Sequence, residues 1–193
     1  MVTGAAVDSV PRERIVAAAR RRFETYGYRR TSIAEIARDA GIAVGTVYRY
    51  FAGKEAVFLG VVEDMNQRWL AESRRALEGP GTATDRLQRL GAASIRFAGD
   101  NALITAIAMR DTDIVFAPLL ERVYEEMQRR NVAMIANVVR DGIREGTFCD
   151  VDPERAAYVL FVAGSMLSVQ QSHPYAELMP TFETIVYQGL LKR

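Results

Sequence analysis

The hydrophobic positions of this chain recur at helical spacing almost from end to end, with Gly and Pro marking the breaks. Ile15, Ala19, Phe23 and Tyr26, spaced 4, 4 and 3, predict an amphipathic helix over about 12–26, closed by Gly27. Its outer side carries Arg12, Arg14, Arg20, Arg21 and Arg22. Ser32 stands three residues before Glu35, a capping box that opens a short second helix burying Ile33, Ile36, Ala37 and Ala40; Gly41 ends it. A third short helix, about 44–51, follows within a few residues. A long fourth one opens at Gly53-Lys54-Glu55 and runs to about Leu77, ahead of the breaker Gly79-Pro80-Gly81. Leu87, Leu90, Ser94 and Phe97 mark a fifth helix capped near Thr84, 101–109 a short sixth, and 116–145 a long seventh ended by Gly146. Asp152 as N-cap with Pro153 at the first helical position starts an eighth over about 153–171, and Leu178, Phe182, Ile185 or Val186, and Leu190 trace a ninth. No run of alternating β-branched residues is long enough for a sheet. The fold class expected is all-α, with about nine helices.

Two short helices joined by a tight turn must cross steeply, which requires small residues where they touch. Ala37 is that small residue, Gly41 can take the positive φ of the turn, and Ile36, Ile42 and Val47 supply a shared core. This is a helix-turn-helix, in which the second helix lies in the DNA major groove. Val47 and Phe51, one turn apart, set the inward face. Val44, Gly45, Tyr48 and Arg49 are left outward, with Thr46 and Tyr50 at the flanks.

Thr31-Ser32-Ile33, Ile36-Ala37, Ala40-Gly41-Ile42, Gly45-Thr46-Val47-Tyr48-Arg49-Tyr50-Phe51 and Lys54-Glu55 together resemble the signature of the tetracycline-repressor (TetR) family, over about residues 11–58. The resemblance implies a helix-turn-helix DNA-binding domain over 1–55, followed by a helical effector-binding and dimerisation domain over 56–193. It implies phosphate contacts from Thr46, Tyr48, Tyr50 and Lys54, and a backbone clamp from Thr31 and Ser32 at the second helix's start; hydroxyl, phenol and ammonium groups are suitable donors for phosphate oxygens. Base reading would fall to Val44 and Gly45, with Arg49 and Tyr48 nearby. The chain departs from the family's commoner pattern at Ala43 and Val44, where Ser and a polar or basic residue are usual, and at Ala34. Ala43 cannot cap the third helix, and Val44 offers only an apolar contact, such as with a thymine methyl. Few direct hydrogen bonds to bases are expected, and a larger share of phosphate positioning and shape reading.

The expected eighth helix is apolar around nearly its whole circumference, which suits burial at a subunit interface. Tyr158, Phe161, Val162, Gly164, Ser165 and Met166 from it, with Phe182, Ile185, Val186 and Leu190 from the ninth, form the expected interface of a homodimer. As the resemblance implies, these helices would make a four-helix bundle across a two-fold axis. Apolar residues of irregular shape gather on the fourth to seventh helices and beside them: Met65, Trp69, Phe97, Met109, Phe116, Tyr124, Met127 and Met134. They read either as plain core or, as in the family, as a small-molecule pocket, with Asn101, Asp111, Asp113 and Gln170 as polar wall candidates. The effector's chemistry is open. The long fourth helix, with Lys54 at its start and Met65 and Trp69 further along, is the expected moving part.

Composition adds exclusions. The 193 residues are 49% hydrophobic and 25% charged, which suits a globular protein. The longest apolar stretch, Ala156 to Val169, is interrupted by Gly164, Ser165 and Ser168, so no membrane span is expected. No secretory signal pattern opens the chain, and a reducing cytoplasm fits. One cysteine, Cys149, and one histidine, His173, make no metal cluster and no disulfide; Cys149 reads as a bystander and His173 as a surface or interface residue. No cofactor and no catalytic residue are expected. The net charge of +1 divides unevenly: residues 1–55 hold ten Lys/Arg and six Asp/Glu, so the near-neutral total averages a basic head and a mildly acidic body. Because 23 of the 25 basic residues are Arg, the arginine cluster of the first helix reads equally as a solvated face. The leading expectation is a regulator released from a pseudo-palindromic operator by a small molecule. The alternatives are a non-specific architectural DNA binder, and an all-α enzyme or ligand carrier.

Overall fold

Among the described residues, the amphipathic segments separated by breakers fold as helices. The computed structural model describes residues 5–101, 103, 117–169, 178, 181, 184–185 and 189–191. Among these residues seven helices follow in order: α1 (Ala5–Tyr26), α2 (Ile33–Ala40), α3 (Val44–Tyr50), α4 (Lys54–Glu78), α5 (Ala83–Gly99), α6 (Ala117–Arg144) and α7 (Pro153–Val169). The expected helices over 101–109 and 178–190 lie largely outside the described residues, so the expected seventh and eighth are α6 and α7. No helix among the described residues is long and apolar enough to cross a membrane.

The chain divides into two compact units, Met1–Arg68 with Arg110–Leu120, and Trp69–Met109 with Glu121–Arg193. The first unit runs on to Arg68, past residue 55 where the sequence reading placed the boundary. The reason lies in α4: Val57, Phe58, Val61, Val62 and Met65 are all fully buried in the first unit. They join Ile15, Ala19 and Phe23 of α1, Ile36 and Ala37 of α2, and Val47 of α3 in the buried set. Tyr26 was expected on the apolar face of the first helix, but it is 48% exposed. Helix α1 ends there, the chain turns at Gly27, and Tyr28 instead enters the core, 5.7 Å from the Phe23 ring and 5.4 Å from that of Phe58.

Between α2 and α3 the turn is built on Gly41, which takes φ 64°, ψ 40°. Its N–H and that of Ile42 both reach the carbonyl region of the last α2 turn, the Ile42 N–H donating to the Ala37 oxygen at 3.0 Å. Arg14, from α1, donates to the Ala40 oxygen at 2.6 Å, so a cation sits where the dipole of α2 leaves partial negative charge.

In the second unit Ala83, Leu87, Val138, Val139, Phe148 and Leu190 form the core, flanked by Leu77, Ile135 and Leu160. Leu190 was expected at the dimer interface; it is only 9% exposed within the single chain. The Cys149 N–H donates to the Leu190 oxygen at 2.9 Å, which ties the chain's end to the loop after α6 and pulls the leucine inward. The N-cap of α5 is Thr82 rather than Thr84, in a capping box with Asp85 whose carboxylate receives the Thr82 N–H at 2.7 Å. Arg86 of α5 bridges Asp141 of α6 and Glu145 just past its end, and Glu145 also accepts from the Ala83 N–H at 3.0 Å. Arg89 donates to the Ala76, Gly79 and Pro80 oxygens, satisfying carbonyls that the end of α4 leaves open.

Two glycines are placed by these contacts. A Cβ on Gly41 would stand 2.9 Å from the Arg14 guanidinium and force a side-chain residue into the left-handed region; Gly41→Ala is expected to cost roughly 1–2 kcal/mol from backbone conformation alone. A Cβ on Gly142 would fall 2.1 Å from the Phe148 ring, so Gly142→Ala must displace that ring, at about 1–3 kcal/mol. Urea unfolding of each variant against the parent checks both, and an unchanged midpoint in either would contradict the packing described.

Candidate nucleic-acid interface

Three local devices orient α3. Ser32 caps α2 by accepting the Glu35 N–H at 3.3 Å, while the Glu35 carboxylate receives the Ser32 N–H at 2.9 Å. Gly41 sets the turn. Val47 and Phe51 are buried, so the opposite side of α3 must face outward. Val44 (41% exposed) and Tyr48 (55% exposed) stand on that outward side, Gly45 and Arg49 are exposed with them, and Thr46 and Tyr50 are half-buried at its flanks. Ala43 makes no side-chain cap, and the Thr46 N–H donates to its backbone oxygen at 2.9 Å.

Beside this face lies an open depression of about 550 Å³. Ala34, Val44 and Tyr48 contribute to its lining, and Arg29, Arg30 and Lys54 supply three cations to it. Lys54 Nζ donates to the Tyr28 oxygen at 3.0 Å and lies 4.3 Å from the centroid of the Tyr28 ring, so the ammonium is held at the start of α4 by a carbonyl and an aromatic face together. Arg30 Nε donates to the Tyr26 oxygen at 3.0 Å, closing the end of α1. Neither Arg29 nor Arg30 was singled out from the sequence as a contact residue; two adjacent arginines just before the Ser32 cap were the available signal. Thr31 is placed otherwise than a phosphate clamp requires: it is 2% exposed and its hydroxyl donates to the Gly27 oxygen at 2.8 Å, locking the α1–α2 turn. Ser32 remains exposed.

Among the described residues, none expected at the ligand pocket or the dimer interface lines this depression. Met65 is fully buried in the first unit. In the second, the Trp69 and Phe97 rings pack 5.3 Å apart and Trp69 Nε1 donates to the buried Asn131 Oδ1 at 2.7 Å. Asn131 was not foreseen, since a lone Asn amid a helical pattern carries no signal. Asn101 is also buried, its amide donating to the Phe97 oxygen. Tyr124, Met127 and Met134 are half-buried. On α7 Tyr158 and Val159 are exposed and Phe161, Val162, Gly164 and Ser165 are half-buried; Ile185 is exposed. Met109, Asp111, Asp113, Phe116, Gln170, Phe182 and Val186 lie outside the described residues, as does the Met166 side chain.

The arginines of α1 divide by role. Arg22, its side chain only 11% exposed, bonds Asp39 at 2.6 Å and Glu35 at 3.0 Å and lies over the Tyr26 ring; Arg12 pairs with Glu63 at 3.3 Å and lies over Phe51. The hydrogen bond from Arg22 holds the Asp39 carboxyl below the usual carboxylate range, and Glu35 is lowered mainly by its bonds with Ser32, with Arg22 adding to it. Burial pushes the Tyr28 phenol up, and Glu55 adds to that shift. Depressed carboxyl values mean that the native state gains stability above the unfolded values and loses it as pH falls through the folded ones. The difference in Tm between the parent and Arg22→Gln should therefore be full near about pH 6 and close as the pH drops below about 4, where Asp and Glu take up protons. Thermal unfolding across that range checks it; a gap that widens in acid would contradict the pairing.

The model described as "Bacterial regulatory proteins, tetR family" matches residues 15–61, and that described as "Tetracyclin repressor-like, C-terminal domain" matches 80–169. The HTH-type transcriptional regulator YhgD of Bacillus subtilis (strain 168) is 26% identical over 153 residues, which is 79% of this chain and 80% of that protein. The fatty acid metabolism regulator protein of the same organism is 23% identical over 62% of this chain and 61% of its own length. Among solved structures, the fatty acid degradation regulator FadR from Bacillus halodurans aligns with a TM-score of 0.79 at 19% identity over 100% of both chains. FadR from Bacillus subtilis, in complex with stearoyl-CoA, aligns with a TM-score of 0.75 at 21% identity over 92% of this chain and 98% of that one. With its helix-turn-helix and its C-terminal helices both matched, the chain belongs to the TetR family of transcriptional regulators.

Proposed function

We propose that the protein acts in the cytoplasm as a homodimeric repressor that holds a pseudo-palindromic operator and releases it when a long-chain acyl-CoA binds the second unit. The observation that carries the DNA half is the outward face of α3 beside a depression bearing Arg29, Arg30 and Lys54. Phosphates seat against such cations, and the helix between them enters the major groove. Support for the acyl-CoA comes from the fold shared with a regulator seen in complex with stearoyl-CoA, and from the aromatic pair Trp69–Phe97 with Met127 and Met134 in the second unit, side chains that suit an apolar chain. Release follows if the acyl-CoA binds the DNA-incompetent conformation more tightly; equal affinity for both conformations would shift nothing. Helix α4, which begins at Lys54 and continues through Trp69, joins the two functions in one element.

Two copies are needed because half-sites lie about one or more turns apart, ~34 Å each, and one recognition helix reads only one of them. Tyr158 and Val159, large apolar side chains exposed on α7, suit the partner surface. Light scattering at micromolar concentration should give the mass of two chains, and Val159→Asp should give one.

A binding selection on genomic fragments, run with stearoyl-CoA, with free coenzyme A and with neither, tests the whole reading. Enrichment of paired half-sites that stearoyl-CoA alone abolishes is the expected result. Enrichment untouched by stearoyl-CoA would overturn the effector, and no enrichment would favour an architectural DNA binder. On an enriched duplex, Lys54→Ala and Arg29→Ala should each lower the slope of log affinity against log salt by about 0.9, one phosphate contact apiece. An unchanged slope would remove that residue from the backbone contacts.

A further inference from the structure

Resting on that DNA-reading role, we infer that the exposed face reads sequence through the 5-methyl groups of thymine, with Val44 as its specificity-determining residue and Ala34 beside it. Three observations carry this. Val44 is a large hydrophobic side chain left 41% exposed on the outward side of α3, while Val47 and Phe51 of the same segment are buried; the fold therefore has no use for an apolar group there. Ala34, exposed on α2, lines the same depression as Val44, so the apolar surface is continuous across both helices of the motif. Around it stand Arg29, Arg30 and Lys54, and among the described residues no carboxylate belongs to the lining, which matches a polyanion and commits the apolar floor to a DNA duplex.

Ser32 and Tyr48 bring hydroxyls to the depression, but Ala34 and Val44, and Gly45 beside them, carry no side-chain hydrogen-bonding group, and the Arg49 guanidinium lies over the Tyr50 ring, 5.8 Å from its centroid. Among the major-groove patterns only thymine presents a carbon group, its C5 methyl, so apolar contact separates T from C by that methyl and not by donors or acceptors. Recognition should then follow the methyl wherever chemistry places it, on thymine or on 5-methylcytosine.

The test starts from sequences enriched out of a random duplex pool by the full-length protein. Each thymine of a selected duplex is replaced singly by deoxyuridine, which removes the methyl and keeps the base-pairing edge. At one fixed salt concentration, at least one position per half-site should bind about fourfold more weakly, the factor for one methyl-sized apolar group buried. Val44→Ser should bind the thymine and uracil duplexes alike at that position. With a C·G pair put there, methylating the cytosine should recover about the same factor for the parent protein. Equal binding of thymine and uracil duplexes by the parent, or an unchanged ratio in Val44→Ser, would overturn the methyl reading while leaving the regulator intact. Failure to enrich any sequence would overturn the operator-binding reading itself.

Discussion

A helix of seven residues with no side-chain cap does not hold its shape in water, because nucleating its first turn costs more than its few hydrogen bonds return. Helix α3 exists because Val47 and Phe51 are buried beneath it and because Gly41 delivers the chain to that position. Everything the recognition face can do depends on this anchoring. Phe51 in turn touches α4 where Gly60 leaves room for its ring, and α1 supplies Arg14 to the turn that leads from α2, so α1, α2 and α4 together fix one short helix. The side chains on its free face therefore need no structural role, and a valine can stand in water there.

Charge is divided with the same economy. Of the basic residues in the first unit, Arg12, Arg14 and Arg22 act inward, on Glu63, on the end of α2 and on Asp39 with Glu35. Arg14 and Arg22 thereby hold α2 against α1, while the exposed Arg12–Glu63 pair links α1 to α4. Arg29, Arg30 and Lys54 line the depression, and the one lysine among them is steadied by Tyr28. A formal excess of positive charge in residues 1–55 thus does not translate directly into phosphate contacts: Arg22 is engaged by Asp39 and Glu35, Arg21, Arg38 and Arg49 are exposed outside the depression, and Arg29, Arg30 and Lys54 are gathered in it.

Local signals made the helix-turn-helix legible. Ser32 with Glu35, Gly41, and the spacing of Ile36, Ala37 and Val47 each act within a few residues, and each is where periodicity placed it. What stayed hidden depends on contacts far apart in sequence. Tyr26 and Tyr28 are equally apolar, and only the packing of Phe58 decides which enters the core. Leu190 fits an apolar stripe whether its neighbour is a second chain or Phe148, some forty residues earlier along the chain. Thr31 and Ser32 are adjacent hydroxyls, yet one locks a turn and the other caps a helix. Thr82 was passed over for Thr84 because its partner at the third helical position is Asp85 rather than Glu. Arginine number says little about role in a chain with 23 of them, and so Arg29 and Arg30 emerged only from the shape of the surface.

An apolar reading face also bears on why the protein should work as a pair. If each buried methyl distinguishes its base about fourfold, a half-site offering two of them gains about sixteenfold, and two half-sites about 250-fold. Specific DNA-binding proteins prefer their sites over others by about 10³ or more, so a single copy of this face falls well short and two approach the lower end. The phosphate contacts proposed for Arg29, Arg30 and Lys54 would raise affinity for all sequences alike and would not close that gap. In the proposed dimer the remaining discrimination would come from the deformability of the duplex between the half-sites, which a two-headed protein can sense. In the proposed homodimer the exposed apolar side chains of α7 and the apolar face of α3 would answer one requirement: weak reading per base is usable only when a second chain doubles it.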